Sequence, residues 1–310
     1  MNCSHKKHIE NYRESKLLEK NMNRFGIVVS QSNLIKIFIY TLCLSIMYFK
    51  IFESMVYDWI HLPDFSHGFF IPLISAYIVW DRFDLLNGLK VKPSYGGLLI
   101  LIPNLLLFLL GNLAAESFIM RFSFIGVLFG IIVFNLGWEW GKNLAFPVLF
   151  LILMIPIPSI LMVKITFPMQ LFASNVAVSS LQLLQIPVFQ DGNIIQLAHT
   201  TLEVAEACSG IRSLISLITL GIVFAYFSQK RNIFRVVLVL LCLPTAIVVN
   251  ALRVTATGIL AQFYGADIAT GFFHEFSGFV LFTVAFVFMF LINYLLLKIQ
   301  PVVKHQDGSV

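Results

Sequence analysis

The 310-residue chain is 58% hydrophobic and only 12% charged, about half the charged share of roughly 25% usual in soluble domains, so water is the wrong solvent for most of it. Its 31 phenylalanines exceed what a soluble core of this size holds, whereas lipid-facing helix surfaces accept such bulk. The formal charge of +5 is fed by a basic N-terminal stretch (Lys6, Lys7, Arg13, Lys16, Lys20, Arg24), which suits an anionic membrane surface and requires no nucleic-acid partner.

Residues 1–30 read as a disordered, cytoplasmic basic tail without the apolar run and small-residue cleavage site of a secretory leader. One membrane domain is expected over 31–300 and a short cytoplasmic tail over 301–310. Windows of about 20 mostly apolar residues mark bilayer spans. Leu34–Phe52, Leu98–Leu113, Phe118–Leu136, Leu144–Val163, Ile211–Phe227, Ile233–Leu260 and Phe276–Leu297 qualify, and Phe69–Trp80 reaches the length if Ser66 and His67 enter at one end. The expected fold class is an all-α polytopic membrane protein with about eight transmembrane helices.

With the N-terminus inside, the loops at Asp81–Pro93, Trp138–Asn143 and Ser228–Arg235 are cytoplasmic, as is the C-terminus with Lys298 and Lys304. Most of the 21 Lys and Arg then lie inside, the asymmetry that the positive-inside rule requires. Phe167–Ile186 is long enough to span. Its Ser174, Asn175, Ser179, Ser180, Gln182 and Gln185, and the basic loop that a further span would throw outside, favour an amphipathic helix at the outer interface, opened by Thr166 and Pro168. Beyond it, Val188–Gln190 and Ile194–Leu197 flank the turn signal Asp191-Gly192, and Thr201–Val204 adds a third strand, giving a short β-like outer loop.

That loop leads to the most unusual residues. Of four cysteines, Cys3 lies in the tail, and Cys43 and Cys242 lie in apolar spans as small hydrophobes. Cys208, in AEACSGIRS, sits where Ser209 and Gly210 resemble the opening of a helix. Free N–H groups there lower a thiol's pKa from about 8.5 and can hold an oxyanion; the alternative is a thiol that merely packs beneath the loop. Arg253, in NALRVTATG, lies nine residues before Gln262, about 14 Å down an apolar helix. A guanidinium at such depth costs about 2.5–3.5 kcal/mol, so it faces the bundle interior and has a partner or a task, with Asn250 and Thr257 on its face. Clamping loop carbonyls is its structural alternative.

His274, in FFHEFSG, opens the last span and can titrate near neutral pH, as can His67 in SHGFF and His199 in LAHTT; position alone does not rank the three. A nucleophile, an anion stabiliser and a proton carrier on one side are the parts of covalent acyl transfer. Zinc-ligand spacing, an HExxH helix, a GxSxG setting and a phosphate-binding glycine loop are missing from the sequence, so no metal or other cofactor is expected.

In order and spacing, AEACSGIRS, NALRV and the histidine of FFHEFSG resemble the motifs of the exosortase and archaeosortase membrane enzymes. DFSHGFFIPLIS, IPIPSI with ITFPMQLFAS, and IPVFQDGNIIQL extend the likeness over most of the chain between Asp58 and Gly278. The resemblance implies a protein-sorting cysteine transpeptidase of the bacterial cytoplasmic membrane, cleaving a C-terminal signal built of a short motif such as Pro-Glu-Pro, a hydrophobic helix and a basic tail. It implies Cys208 as nucleophile, Arg253 as oxyanion stabiliser and His274 as proton shuttle, all facing the periplasm. The implied partners are exported proteins bearing that signal and a lipid or glycan acceptor. His67, Asn250 and Arg212 are accessory candidates. A transporter or a membrane subunit of an exopolysaccharide export system suits the spans and Arg253 equally well but gives Cys208 no role. A non-catalytic scaffold gives none to Cys208 or His274.

Overall fold

The computed structural model describes residues 31–198, 201–204, 211–265 and 272–299, and the chain divides into two compact units, Met1–Pro156 and Ile157–Val310. In the first, α1 (Gln31–His61) is stopped by Pro63, which holds Leu62 in extended backbone. A 3-10 turn over Pro63–Phe69 runs directly into α2 (Phe70–Asp81), and the short α3 (Phe83–Asn87) follows. α4 (Leu98–Leu113) and α5 (Ser117–Leu136) form an antiparallel hairpin whose backbones approach closely over small residues. A side chain on Gly130 would stand 2.9 Å from the Leu101 backbone nitrogen, and Gly97, just ahead of α4, abuts the Phe134 backbone. Gly130→Ala is therefore expected to cost about 1–3 kcal/mol through overpacking, read as a lower melting midpoint of the purified protein in detergent. An unchanged midpoint would show that the two helices yield at no cost.

Gly137 ends α5 with φ +96, where any Cβ would strike the Lys92 carbonyl; α6 (Trp138–Phe150) and a 3-10 turn over Leu151–Met154 complete the unit.

The second unit comprises α7 (Ser159–Leu183), a three-stranded sheet, α8 (Ile211–Ser228), α9 (Asn232–Tyr264) and α10 (Phe272–Ile299). α8, α9 and α10 share a core of Leu214, Leu217, Cys242, Ala246, Val249, Ala285 and Met289. One end of this bundle is tied by polar contacts. Asn293 Oδ1 on α10 accepts from Ser228 Oγ (2.8 Å) and from Gln229 Nε2, and Arg235 Nε in the first turn of α9 donates to the Gln229 carbonyl (2.8 Å). The end of α8 and the start of α9 thus meet the late part of α10. The start of α8, the end of α9 and the start of α10 lie at the opposite end.

The sheet is antiparallel, β1 (Val188–Asp191), β2 (Ile194–Leu197), β3 (Thr201–Glu203), in that order. Gly192 has φ +62 at the first central position of the β1–β2 turn, where a type II′ hairpin needs glycine. Ile195, Leu197, Leu202 and Val204 are buried with Ala173, Ala177, Val178 and Leu181 of α7 and Val254 and Ala261 of α9. The sheet is thereby pinned to the second half of α9.

The expected span Leu144–Val163 is not one helix. α6 ends at Phe150 and α7 starts at Ser159, because Pro156 and Pro158 offer no N–H and Ile155, before the first of them, is extended. The helix expected to open at Thr166 and Pro168 instead opens at Ser159 and runs through Pro168. It packs along α9 rather than standing apart as a surface helix: Met162 and Met169 touch the bundle core, and Leu181 fills the space beside Gly258. Phe69–Trp80 corresponds to α2, whose 12 residues reach only about 18 Å.

Among the described residues, six helical segments are long and apolar enough to cross a bilayer: Phe38–His61, Tyr95–Leu113, Ser117–Leu136, Ser159–Leu183, Asn232–Phe263 and Phe282–Ile299. α8 contributes a shorter apolar segment, Leu214–Ser228, and the expected count of eight is not reproduced among the described residues.

Candidate active site

On α9, Cys242, Ala246, Val249 and Arg253 follow at i, i+4, i+7 and i+11, one stripe of the helix. The first three members are buried against α8 and α10. Arg253 extends the stripe one turn further, toward the end where α8 and α10 begin. Its neighbours show how the helix is rotated: Leu252 is exposed, and Val254 is buried in the cluster beneath the sheet. Arg253 is half-buried with Nε screened from solvent, and Asn250, one turn back, is buried.

His274 falls in the first turn of α10 and Arg212 in the first turn of α8. Cys208 lies outside the described residues, in the segment 205–210 between the sheet and α8; Ile211, the first residue of α8, is three positions on. His199 also lies outside the described residues. Cys43 is exposed and Cys242 buried, its Sγ 3.4 Å from the Leu238 carbonyl and 3.6 Å from Met289 Sδ.

His67 belongs to the first unit, in the 3-10 turn ahead of α2. Its Nε2 lies 3.3 Å from the Leu153 carbonyl, and its Nδ1 is buried. Burial lowers its pKa below the ordinary imidazole value, opposed by backbone hydrogen bonds to Leu153 and Asp64. Nearby, Trp59 Nε1 donates to the Met154 carbonyl (2.9 Å), and the Trp59 ring lies against Gly68. The turn is thus knitted to Leu151–Met154, a structural role for His67 that its sequence context did not reveal.

A charged contact was also missed. Arg121, buried on α5, donates to Asp58 (2.6 Å) and to Ser54 Oγ (2.8 Å) on α1. Arg121 inside the apolar window Phe118–Leu136 was the available signal, since an arginine is costly there unless paired; Asp58 falls beyond the window Leu34–Phe52, on the continuation of α1 to His61. No three His, Cys, Asp or Glu side chains converge as a metal site among the described residues.

Long apolar helices in both units define a polytopic α-helical membrane protein. A family model described as transmembrane exosortase matches residues 59–291, most of the chain. The chain belongs to the transmembrane exosortase family. No curated protein and no solved structure matches it.

Proposed function

We propose that the protein is a membrane-embedded cysteine transpeptidase that cleaves C-terminal sorting signals of the Pro-Glu-Pro type from exported proteins and transfers them to a lipid or glycan acceptor. The exosortase family is in general one of cysteine transpeptidases. The observation that carries the reading is the placement of Arg253: it continues a buried stripe toward the bundle end at which the Cys208 segment enters α8 and His274 opens α10.

The Cys208 thiolate attacks the scissile carbonyl, and the oxyanion of the tetrahedral intermediate is stabilised by Arg253. Collapse breaks the C–N bond, His274 gives a proton to the leaving amine, and a thioester to Cys208 remains. An acceptor hydroxyl or amine, deprotonated by His274, then attacks the thioester and frees the thiol. Lys230, Arg231, Arg235 and Lys298 collect at the opposite end of the bundle. By the positive-inside rule that end is cytoplasmic and the site faces the periplasm, with both termini inside.

The test is co-expression with an exported protein carrying such a signal, followed by the mobility shift of the precursor at matched enzyme levels. Cys208→Ala and His274→Ala are expected to leave the precursor uncut. Normal processing by Cys208→Ala would replace this reading with transport or scaffolding.

A further inference from the structure

β3 has β2 on one side, and among the described residues no strand pairs with its other edge. Antiparallel pairing turns alternate residues toward and away from the partner. Val204 N–H donates to the Asn193 carbonyl (2.9 Å), and the register sets Leu202 opposite Ile195. The backbone groups of Leu202 and Val204 are therefore committed to β2, and those of Thr201 and Glu203 point out along the unpaired edge. Leu202 and Val204 are buried beneath the sheet while the Thr201 and Glu203 side chains are exposed, so the edge is anchored from below. The strand ends five residues before Cys208.

An open strand edge recruits extended peptide through main-chain hydrogen bonds. We propose that the outward edge of β3, through the backbone of Thr201 and Glu203, takes up the extended substrate segment beside the scissile bond as an added strand. This rests on the sorting-enzyme reading above. The direction of the chain identifies the occupant. β3 leads through 205–210 into α8, which enters the helical bundle. A substrate whose extended motif is followed by a scissile bond and then a membrane helix has the same order along its chain as β3, Cys208 and α8, and lies parallel to β3 in this proposal. Affinity then comes from backbone pairing and tolerates varied side chains along the docked segment.

Proline separates this role from a structural one. Thr201→Pro and Glu203→Pro delete outward N–H groups and leave the pairing with β2 intact, whereas Gln190→Pro deletes one from the opposite edge, on β1, together with the side-chain bonds of Gln190 to Asn175 and Gly192, which Gln190→Ala removes alone. At matched membrane levels, Thr201→Pro and Glu203→Pro are expected to slow processing about tenfold, and Gln190→Pro to process at the rate of Gln190→Ala. Equal loss in all three would overturn the proposal, because the sheet as a whole would then be what processing needs. If Cys208→Ala is inactive while Thr201→Pro and Glu203→Pro process at the wild-type rate, the docking proposal fails and the sorting reading stands; if Cys208→Ala processes normally, the sorting reading itself fails. Should the proline variants not accumulate, Glu203→Cys in a Cys208→Ala background is cross-linked to substrates carrying single cysteines scanned along the signal. Yields that peak at every second residue are expected for a docked strand, and uniform or absent cross-linking overturns it.

Discussion

Arg253→Ala is expected to slow precursor processing about 10²–10³-fold, the range seen when one donor to a developing oxyanion is removed. The expectation comes from where the side chain stands. It prolongs the buried stripe of Cys242, Ala246 and Val249 and is half-buried with Nε screened from solvent, and a guanidinium partly withdrawn from water acts on developing charge more strongly than one in water. Arg253→Lys retains the charge but loses the planar fork of donors, so its rate should fall between those of wild type and Arg253→Ala. A stabiliser of the transition state lowers kcat and kcat/KM together and leaves the melting midpoint of the folded enzyme in place. A rate within about threefold of wild type would remove Arg253 from the chemistry. A large fall in the midpoint would assign it to architecture instead.

Sequence made the long helices legible wherever a single force acted. Leu98–Leu113 and Ser117–Leu136 are helices because continuous apolar length leaves the backbone no other partner in lipid. The three strands were legible for a similar reason: Asp191-Gly192 marked a turn between alternating residues, and the strands fell within one residue of their expected bounds, β1 running on to Asp191 and β3 ending at Glu203, with Gly192 in the demanding position. Legibility failed where two forces competed. Hydropathy runs unbroken from Leu144 to Val163, yet the backbone chemistry of Pro156 and Pro158 overrides it and splits the segment between two helices. Polar residues between Ser174 and Gln185 suggested an amphipathic helix at the outer interface, but Ser174 is fully buried and Gln170 nearly so, since neighbouring helices can cover polar groups as lipid cannot. Within the candidate site, the burial of Asn250 and the inward stripe ending at Arg253 followed from helical spacing. The pairing of Arg121 with Asp58 did not, because the residues stand 63 positions apart on different helices and neither belongs to a local motif.

Breaking that pair is expected to be the most damaging single change in the first unit. Arg121 keeps only 7% of its side chain exposed and Asp58 21%, at 2.6 Å. Removing one partner of a buried pair strands the other charge and costs about 3–5 kcal/mol; the partial exposure of Asp58 sets Arg121→Ala toward the lower figure and Asp58→Ala, which strands the more deeply buried arginine, toward the higher. The double variant Arg121→Met with Asp58→Leu removes both charges and should regain most of the loss, measured as melting midpoints in one detergent. The pair is the last of three polar rungs between α1 and α5, after Tyr40 to Asn135 (3.0 Å) and Tyr48 to Ser123 (2.9 Å). Apolar surfaces in lipid slide past one another with little penalty, so these rungs fix the register of two helices that packing alone leaves underdetermined. A double variant that melts as low as the single ones would show that the contact acts through this register rather than through charge. Recovery to the wild-type midpoint would show that charge compensation is the whole of its contribution to stability.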